Sequence, residues 1–255
     1  MNASAPLAER PVAIVTGASR GIGRAIAEAL SAHGYRLVLA ARSIDDADAT
    51  ATTQPVAIDL RARDAARVVV DRALAAFGRL DLLVNNAGAT PRGDFLAFDD
   101  AAWDDGFALK FFGAVRLCRA AWPHLVATRG AIVNIAGIGG RTGSAEFAIG
   151  GAVNAALLNL TKALADRGVR DGVRVNAVNP SGIATERTQT RIDQVARERG
   201  IAPDAAAHAL ASELRIARFG TPEEIADVVA FLASPAAAYM QGAIVDVDGG
   251  QTRTL

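Results

Sequence analysis

The residues best placed to do chemistry are Thr16-Gly17-Ala18-Ser19-Arg20-Gly21-Ile22-Gly23, which follow the β-branched run VAIVT and precede an Ala-rich stretch of helical composition. Glycines at this spacing let a backbone turn sharply and come close to a pyrophosphate, whose charge then rests on the unpaired amides of a helix N-terminus. The predicted ligand is a dinucleotide. At the end of the next strand, a carboxylate would bond a ribose 2′-hydroxyl and repel a 2′-phosphate. The chain has Ala41 there, followed by Arg42. Arg42 and Arg20 are two guanidinium groups suited to hold a phosphate in bidentate fashion. The expected cofactor is therefore NADP(H) in preference to NAD(H), held by Gly17, Ser19, Arg20, Gly21, Ile22, Gly23 and Arg42.

Other chemistries find less support. His33, His124 and His208 stand apart, with no Ser-His-Asp grouping and no metal-ligand spacing, so no metal site is expected. Lys plus Arg equals Asp plus Glu at 27 each, which leaves no net field for nucleic acid or an anionic membrane and points to a small-molecule substrate. The lone Cys118, in an apolar helical stretch, suits a reducing compartment. The first ten residues lack a basic start followed by an apolar run, and no apolar stretch approaches the ~20 residues that cross a bilayer. A cytoplasmic location is expected.

Stepping along the chain, seven short runs are strand candidates: VAIVTG, RLVLAAR, PVAIDL, DLLVNNAG, AIVNIAG, VRVNAVNP and AIVDVDGG. Several are apolar throughout, as strands covered on both faces are, and helical stretches long enough for crossovers separate most of them. The predicted fold is α/β: a single doubly wound Rossmann domain over residues 1–255, its seven-stranded, mainly parallel sheet carrying helices on both faces. Arg187 to Arg218 breaks the alternation, being charged and helical between the sixth strand and the last crossover helix. It is predicted either as a substrate lid over the carboxyl ends of the strands or as an ordinary surface helical pair.

With the glycine spacing, Asn85-Asn86-Ala87-Gly88 after the fourth strand, Asn179-Pro180 after the sixth, RFGTPEEIADVVAFLAS and Asp248-Gly249-Gly250, the chain resembles the short-chain dehydrogenase/reductase family over nearly its whole length. The resemblance implies that Asp59 and Leu60 face the adenine, that Asn86, Ala87 and Gly88 line its ribose, and that Pro180, Ile183 and Thr185 hold the nicotinamide amide. Ser181 departs from the family's Asn-Pro-Gly. A homotetramer or homodimer is also implied, through helices beginning near Asp105 and Phe147 and through C-terminal contacts.

The family's catalytic set is missing. Such reductases place a Ser and a Tyr against the substrate oxygen, lower the tyrosine pKa with a Lys four residues on, and complete a relay with an Asn. Here Ala136-Gly137 stands for the serines, Gly150 for the tyrosine, Asn154 for the lysine and Lys110 for the asparagine. Phe147, one helical turn before Gly150, has the ring without the hydroxyl. Glycines within a helix cost roughly 1 kcal/mol each relative to alanine, so Gly150-Gly151 predicts a widened pocket or tight helix packing across a subunit contact. Lys110 is the replacement candidate for the missing acid, provided that desolvation lowers its pKa; otherwise it points to solvent or to a neighbouring carboxylate. Asn154 retains the ability to bond the nicotinamide ribose. Arg141, Glu146 and His208 are either within reach of a substrate or on the surface. Three functions stay open: an NADP(H)-dependent oxidoreductase with an altered proton-transfer group; a non-redox lyase, isomerase or cyclase that keeps the dinucleotide; and a non-catalytic cofactor-binding subunit paired with an active relative.

Overall fold

The computed structural model describes residues 6–45 and 49–253. Seven strands form one sheet: β1 (Val12–Thr16), β2 (Arg36–Ala41), β3 (Thr53–Ala57), β4 (Leu82–Asn85), β5 (Ala131–Ile135), β6 (Arg174–Pro180) and β7 (Ile244–Val247). All neighbours pair in parallel, in the order β3-β2-β1-β4-β5-β6-β7. The helices are α1 (Gly21–Ala32), α2 (Ala65–Phe77), α3 (Asp100–Phe107), α4 (Gly113–Thr128), α5 (Ala148–Asp171), α6 (Glu186–Arg199), α7 (Pro203–Glu213) and α8 (Pro222–Ala233).

Alternation along a strand separates two cores. On β1, Val12 and Ile14 pack with Val69 and Val70 of α2 and Leu117 and Leu125 of α4. Ala13 and Val15, on the opposite face, pack with Ile26 and Leu30 of α1 and Ile225 and Val229 of α8. The chain runs outward from β1 to β3, then returns to place β4 on the other side of β1. That reversal opens a crevice at the carboxyl ends of β1 and β4, the place where sheets of this kind receive ligands.

The Ala145–Asp171 helical stretch is apolar and long enough, by length and composition, to cross a membrane, which corrects the expectation that no such stretch exists. Its apolarity has a local cause. Ile149, Val153, Leu157, Leu158 and Ala165 of α5 are buried, and the helix packs along β5 and β6. Between β6 and α8, the α6–α7 pair has its own small core of Ile192, Ala196, Ala206 and Leu210, with Phe219 against it.

Beneath the crevice, buried amides tie the layers together. Asn85 Nδ2 donates to Asn134 Oδ1 at 2.8 Å, Asn134 Nδ2 donates to Thr161 Oγ1 at 2.9 Å, and Thr161 Oγ1 donates to Leu157 O at 2.8 Å. This chain links β4, β5 and α5 where no water competes. Asn134→Ala should lower stability by about 2 kcal/mol, because it removes partners from two buried groups. Urea unfolding checks this; an unchanged midpoint would show that the network contributes nothing.

Candidate active site

Thr16, the last residue of β1, holds the two strand ends at the crevice together. Its Oγ1 donates to Val84 O at 3.2 Å and accepts from Asn86 N at 2.9 Å and Ala87 N at 3.0 Å. Asn86 Nδ2 returns the tie, donating to Thr16 O at 2.9 Å and Gly17 O at 3.3 Å. Gly17 takes φ +65, and a Cβ there would lie 2.9 Å from Asn86 Nδ2. A Cβ on Gly23 would overlap the Gly17 carbonyl. The turn thus has no room for side chains, and the first turn of α1 carries no acidic residue and no side-chain cap. Such a bare, amide-lined cradle fits a phosphate. Thr16 opens the glycine motif read from the sequence without an assigned role there; the structure makes it the tie between the two strand ends.

Around this cradle, Ser43 Oγ donates to Ser19 Oγ at 3.5 Å, which brings the end of β2 to the glycine turn. Arg42 is exposed there and makes no ion pair with a described residue. Arg20 reaches Glu186, at the start of α6, at 3.3 Å. Thr185 caps α6, and its methyl lies 3.6 Å from where a Cβ on Gly21 would be. Ile22 packs on the core of α1 and α8, as does the buried Ile183, which bridges to Gly220. Pro180 ends β6. Ser181, the departure from the family pattern, donates from Oγ to Gln251 Oε1 at 2.7 Å and so anchors the C-terminal segment. Asp59 is held by Arg61, 3.2 Å away, and Leu60 is buried beside Gly113. Ala87 packs on the core. Gly88 leaves space for the stem of Lys110, whose Cδ would lie 2.8 Å from a Cβ there.

After β5 the backbone is shaped by glycines and by the Phe147 ring. Gly137 takes φ +145 and donates from N to Asn179 Oδ1 at 3.0 Å. A Cβ on Gly137 would lie 3.0 Å from Asn154 Nδ2, so a serine there meets both strain and crowding. Asn154 is 4% exposed, and its Oδ1 has no hydrogen-bond partner. A buried acceptor left alone costs about 1–3 kcal/mol, and this one fits a hydroxyl donor such as that of a nicotinamide ribose. The widened pocket expected at Gly150 is absent. The Phe147 ring folds back over Gly150, where a Cβ would overlap it, and a Cβ on Gly139 would lie 3.1 Å from the same ring. Arg141 is tied to Asp246 at 3.3 Å, while His208 is exposed on α7.

Lys110 sits in a π-helical turn, Ala108–Phe112, between α3 and α4. Such turns add a residue to the helical path and re-aim side chains, often at functional sites. Nζ donates to Ala136 O at 2.5 Å, at the end of β5. Desolvation, aided by the charge of Arg187, brings the ammonium pKa down to about 7. No carboxylate pairs with it among the described residues. It is not a solvated surface charge.

Comparison with known proteins bears on the family. Residues 17–252 match the family model described as Enoyl-(Acyl carrier protein) reductase. The chain is 38% identical over 254 residues to cis-4-hydroxycyclohexanecarboxylate dehydrogenase of Sinomonas cyclohexanicum, covering 96% of this chain and 97% of that protein. It is 36% identical over 248 residues to 3-oxoacyl-(acyl-carrier-protein) reductase FabG of Escherichia coli strain K12, covering 95% and 97%. The crystal structure of L-sorbose reductase from Gluconobacter frateurii, complexed with NADPH and L-sorbose, matches with a TM-score of 0.92 at 33% identity, over 96% of this chain and 98% of that one.

The environment of Lys110 carries a stability signature. Its pKa is lower in the folded chain than the ordinary 10.5, so the fold disfavours the ammonium. That penalty is complete below pH 7 and fades as pH rises towards 10.5. Lys110→Met should therefore stabilise the protein by about 1–3 kcal/mol at pH 6 after discounting the lost hydrogen bond, with the gain shrinking in alkali. Denaturant unfolding at several pH values checks it; a variant less stable at pH 6 would show a purely structural lysine.

Proposed function

The chain belongs to the short-chain dehydrogenase/reductase family, and we propose that it is an NADP(H)-dependent oxidoreductase in which Lys110 takes over proton transfer at the substrate oxygen. The observation that carries this reading is the Lys110 Nζ bonded to Ala136 O at the end of β5, where burial and Arg187 lower its pKa to about 7. A general acid works best when its pKa lies near the working pH.

Gly17, Ser19, Gly21, Ile22 and Gly23 form the pyrophosphate cradle, and Arg42 meets the 2′-phosphate, with Arg20 able to exchange Glu186 for it. Asp59 and Leu60 border the adenine. Asn86, Ala87 and Gly88 wall its ribose. Asn154 Oδ1 accepts from the nicotinamide ribose, while Pro180, Ile183 and Thr185 hold the amide. When bound, the cofactor supplies or accepts the hydride. In reduction, Lys110 Nζ gives its proton to the substrate oxygen as negative charge develops there; in oxidation, the neutral amine takes the proton from the alcohol. Ala136 O holds one N–H and so fixes the direction of the others. The α6–α7 pair serves as the lid, joined to the glycine turn through Glu186 and Arg20. The active form is a homotetramer or homodimer built through α4 and α5, a reading supported by exposed Phe112, Val126 and Val169. It works in the cytoplasm, in keeping with its reduced, buried Cys118.

Kinetic and binding measurements test this function. Carbonyl reduction should fall as pH rises through about 7 while alcohol oxidation rises, and Lys110→Met should lose about 10²- to 10⁴-fold in turnover with NADPH binding retained. Unchanged turnover in that variant would remove Lys110 from the mechanism. Conversion of substrate without any change in nicotinamide absorbance would replace redox chemistry with that of a lyase or isomerase. Arg42→Ala should weaken NADPH binding about 10- to 100-fold and leave NADH unaffected, as read by calorimetry. Equal losses for both nucleotides would overturn the assigned preference.

A further inference from the structure

The carbonyl that holds Lys110 belongs to a peptide unit gripped at both edges. Lys110 Nζ donates to Ala136 O at 2.5 Å, and the N–H of the same unit, that of Gly137, donates to Asn179 Oδ1 at 3.0 Å. A trans peptide sends its carbonyl and its N–H in opposite directions, so the unit bridges the lysine on one side and the asparagine on the other. Asn179 Nδ2 in turn donates to Asp246 Oδ1 at 2.9 Å. Asn179 and Asp246 are register partners on the parallel strands β6 and β7, and Arg141 Nε stands 3.3 Å from the same carboxylate oxygen. A continuous line of hydrogen-bonded groups therefore runs from the Lys110 amine to a carboxylate on the edge strand.

The chemistry of the partners fixes the direction of each bond. A backbone N–H can only donate and a carboxylate can only accept, so Asn179 must turn its oxygen to Gly137 and its nitrogen to Asp246. Each amide is then polarised by the next. The Asp246 charge draws on the Asn179 N–H, which makes Asn179 Oδ1 a stronger acceptor; that oxygen draws on the Gly137 N–H, which makes Ala136 O a stronger acceptor for the lysine. Asn179 is fully buried, so water does not compete for these bonds. Arg187 of α6 is the charged side chain that bears on Lys110 directly, and it opposes the ammonium. Among the described residues, the helices packed beside the lysine, α3, α4 and α5, close no ion pair with it.

We propose that Asp246 is a positioning residue for Lys110: acting through Asn179 and the 136–137 peptide, it strengthens the carbonyl that holds the amine and so favours the ammonium form. Its part in the reaction rests on the reading of Lys110 as the proton-transfer group. Arg141 opposes it, because a guanidinium beside Asp246 offsets some of the charge that the bridge passes on. The edge strand thus acts on a group that it does not touch.

The chain has two lysines, Lys110 and Lys162, so Lys162→Arg leaves Lys110 alone in view when full-length protein is isotope-labelled at lysine Cε and titrated by NMR. In that background, Asp246→Asn keeps the shape and the acceptor but removes the charge, and it should lower the proton affinity of Lys110 about two- to threefold. Arg141→Gln leaves Asp246 without its counter-ion and should raise that affinity. Asp246→Glu should recover part of the loss seen with Asp246→Ala. With the bridge cut by Asn179→Ala, adding Asp246→Asn should change nothing further. A purely structural Asp246 would alter the unfolding midpoint and leave the Lys110 titration where it was. That result, or an equal shift with and without Asn179, would overturn the proposal. If Asn179→Ala does not fold, a titration unmoved by Asp246→Asn still overturns it, and opposite shifts from Asp246→Asn and Arg141→Gln still support it. The titration needs no substrate, so its failure rejects the bridge alone, whereas unchanged turnover in Lys110→Met rejects the proton-transfer reading.

Discussion

One hydroxyl holds the site together. Thr16 Oγ1 lies between β1 and β4 at the point where strand order reverses, and it satisfies one carbonyl and two amides at once. Beyond the ladder that pairs Ala13–Val15 with Leu82–Val84, that latch is what ties the last residue of β1 to the turn after β4. With it, Asn86 can reach back to Gly17 O, and the glycine turn is fixed closely enough that α1 begins with its amides free. The same latch sets the path of Ala87 and Gly88, and Gly88 sits under the stem of Lys110. The cofactor cradle and the proposed acid are therefore positioned by one buried set of hydrogen bonds.

The changes at the reacting end form a consistent set. Gly137 adopts a conformation that side chains avoid and gives its N–H to Asn179, which is itself fixed by donating to Asp246 at 2.9 Å. Phe147 fills the space above Gly150 and carries Arg92 on its face. Asn154 keeps an acceptor buried and unused. A tyrosine at Gly150 would displace Phe147 and, through it, Arg92. Phe147 thus occupies the place such a ring would need, beside a cavity of about 280 Å³ lined by Gly139, Gly151 and Phe147 itself.

Much of this was legible in the sequence because it depended on local pattern. The seven strands appear where the β-branched runs stand, since strands buried on both faces need apolar residues without interruption. Gly150-Gly151 was ambiguous, because an open pocket and a close approach both require the absence of a side chain, and only coordinates show Phe147 occupying the space. Long-range partners were not legible. Nothing near Arg20 in the chain announces Glu186, and nothing near Arg92 announces Phe147. The π-helical turn that aims Lys110 at Ala136 has no compositional signal, since one extra residue in a helix leaves its amino acids unchanged.

Electrostatics reaches Lys110 from outside the sheet as well. The chain as a whole is neutral, yet Arg187 lies close enough to Lys110 to help depress its proton affinity. Arg187 is carried on α6, so the segment between β6 and α8 acts on the lysine from one side while burial acts on it from the other, and both disfavour the ammonium. What keeps the amine in place is then the carbonyl of Ala136, since no carboxylate among the described residues pairs with it.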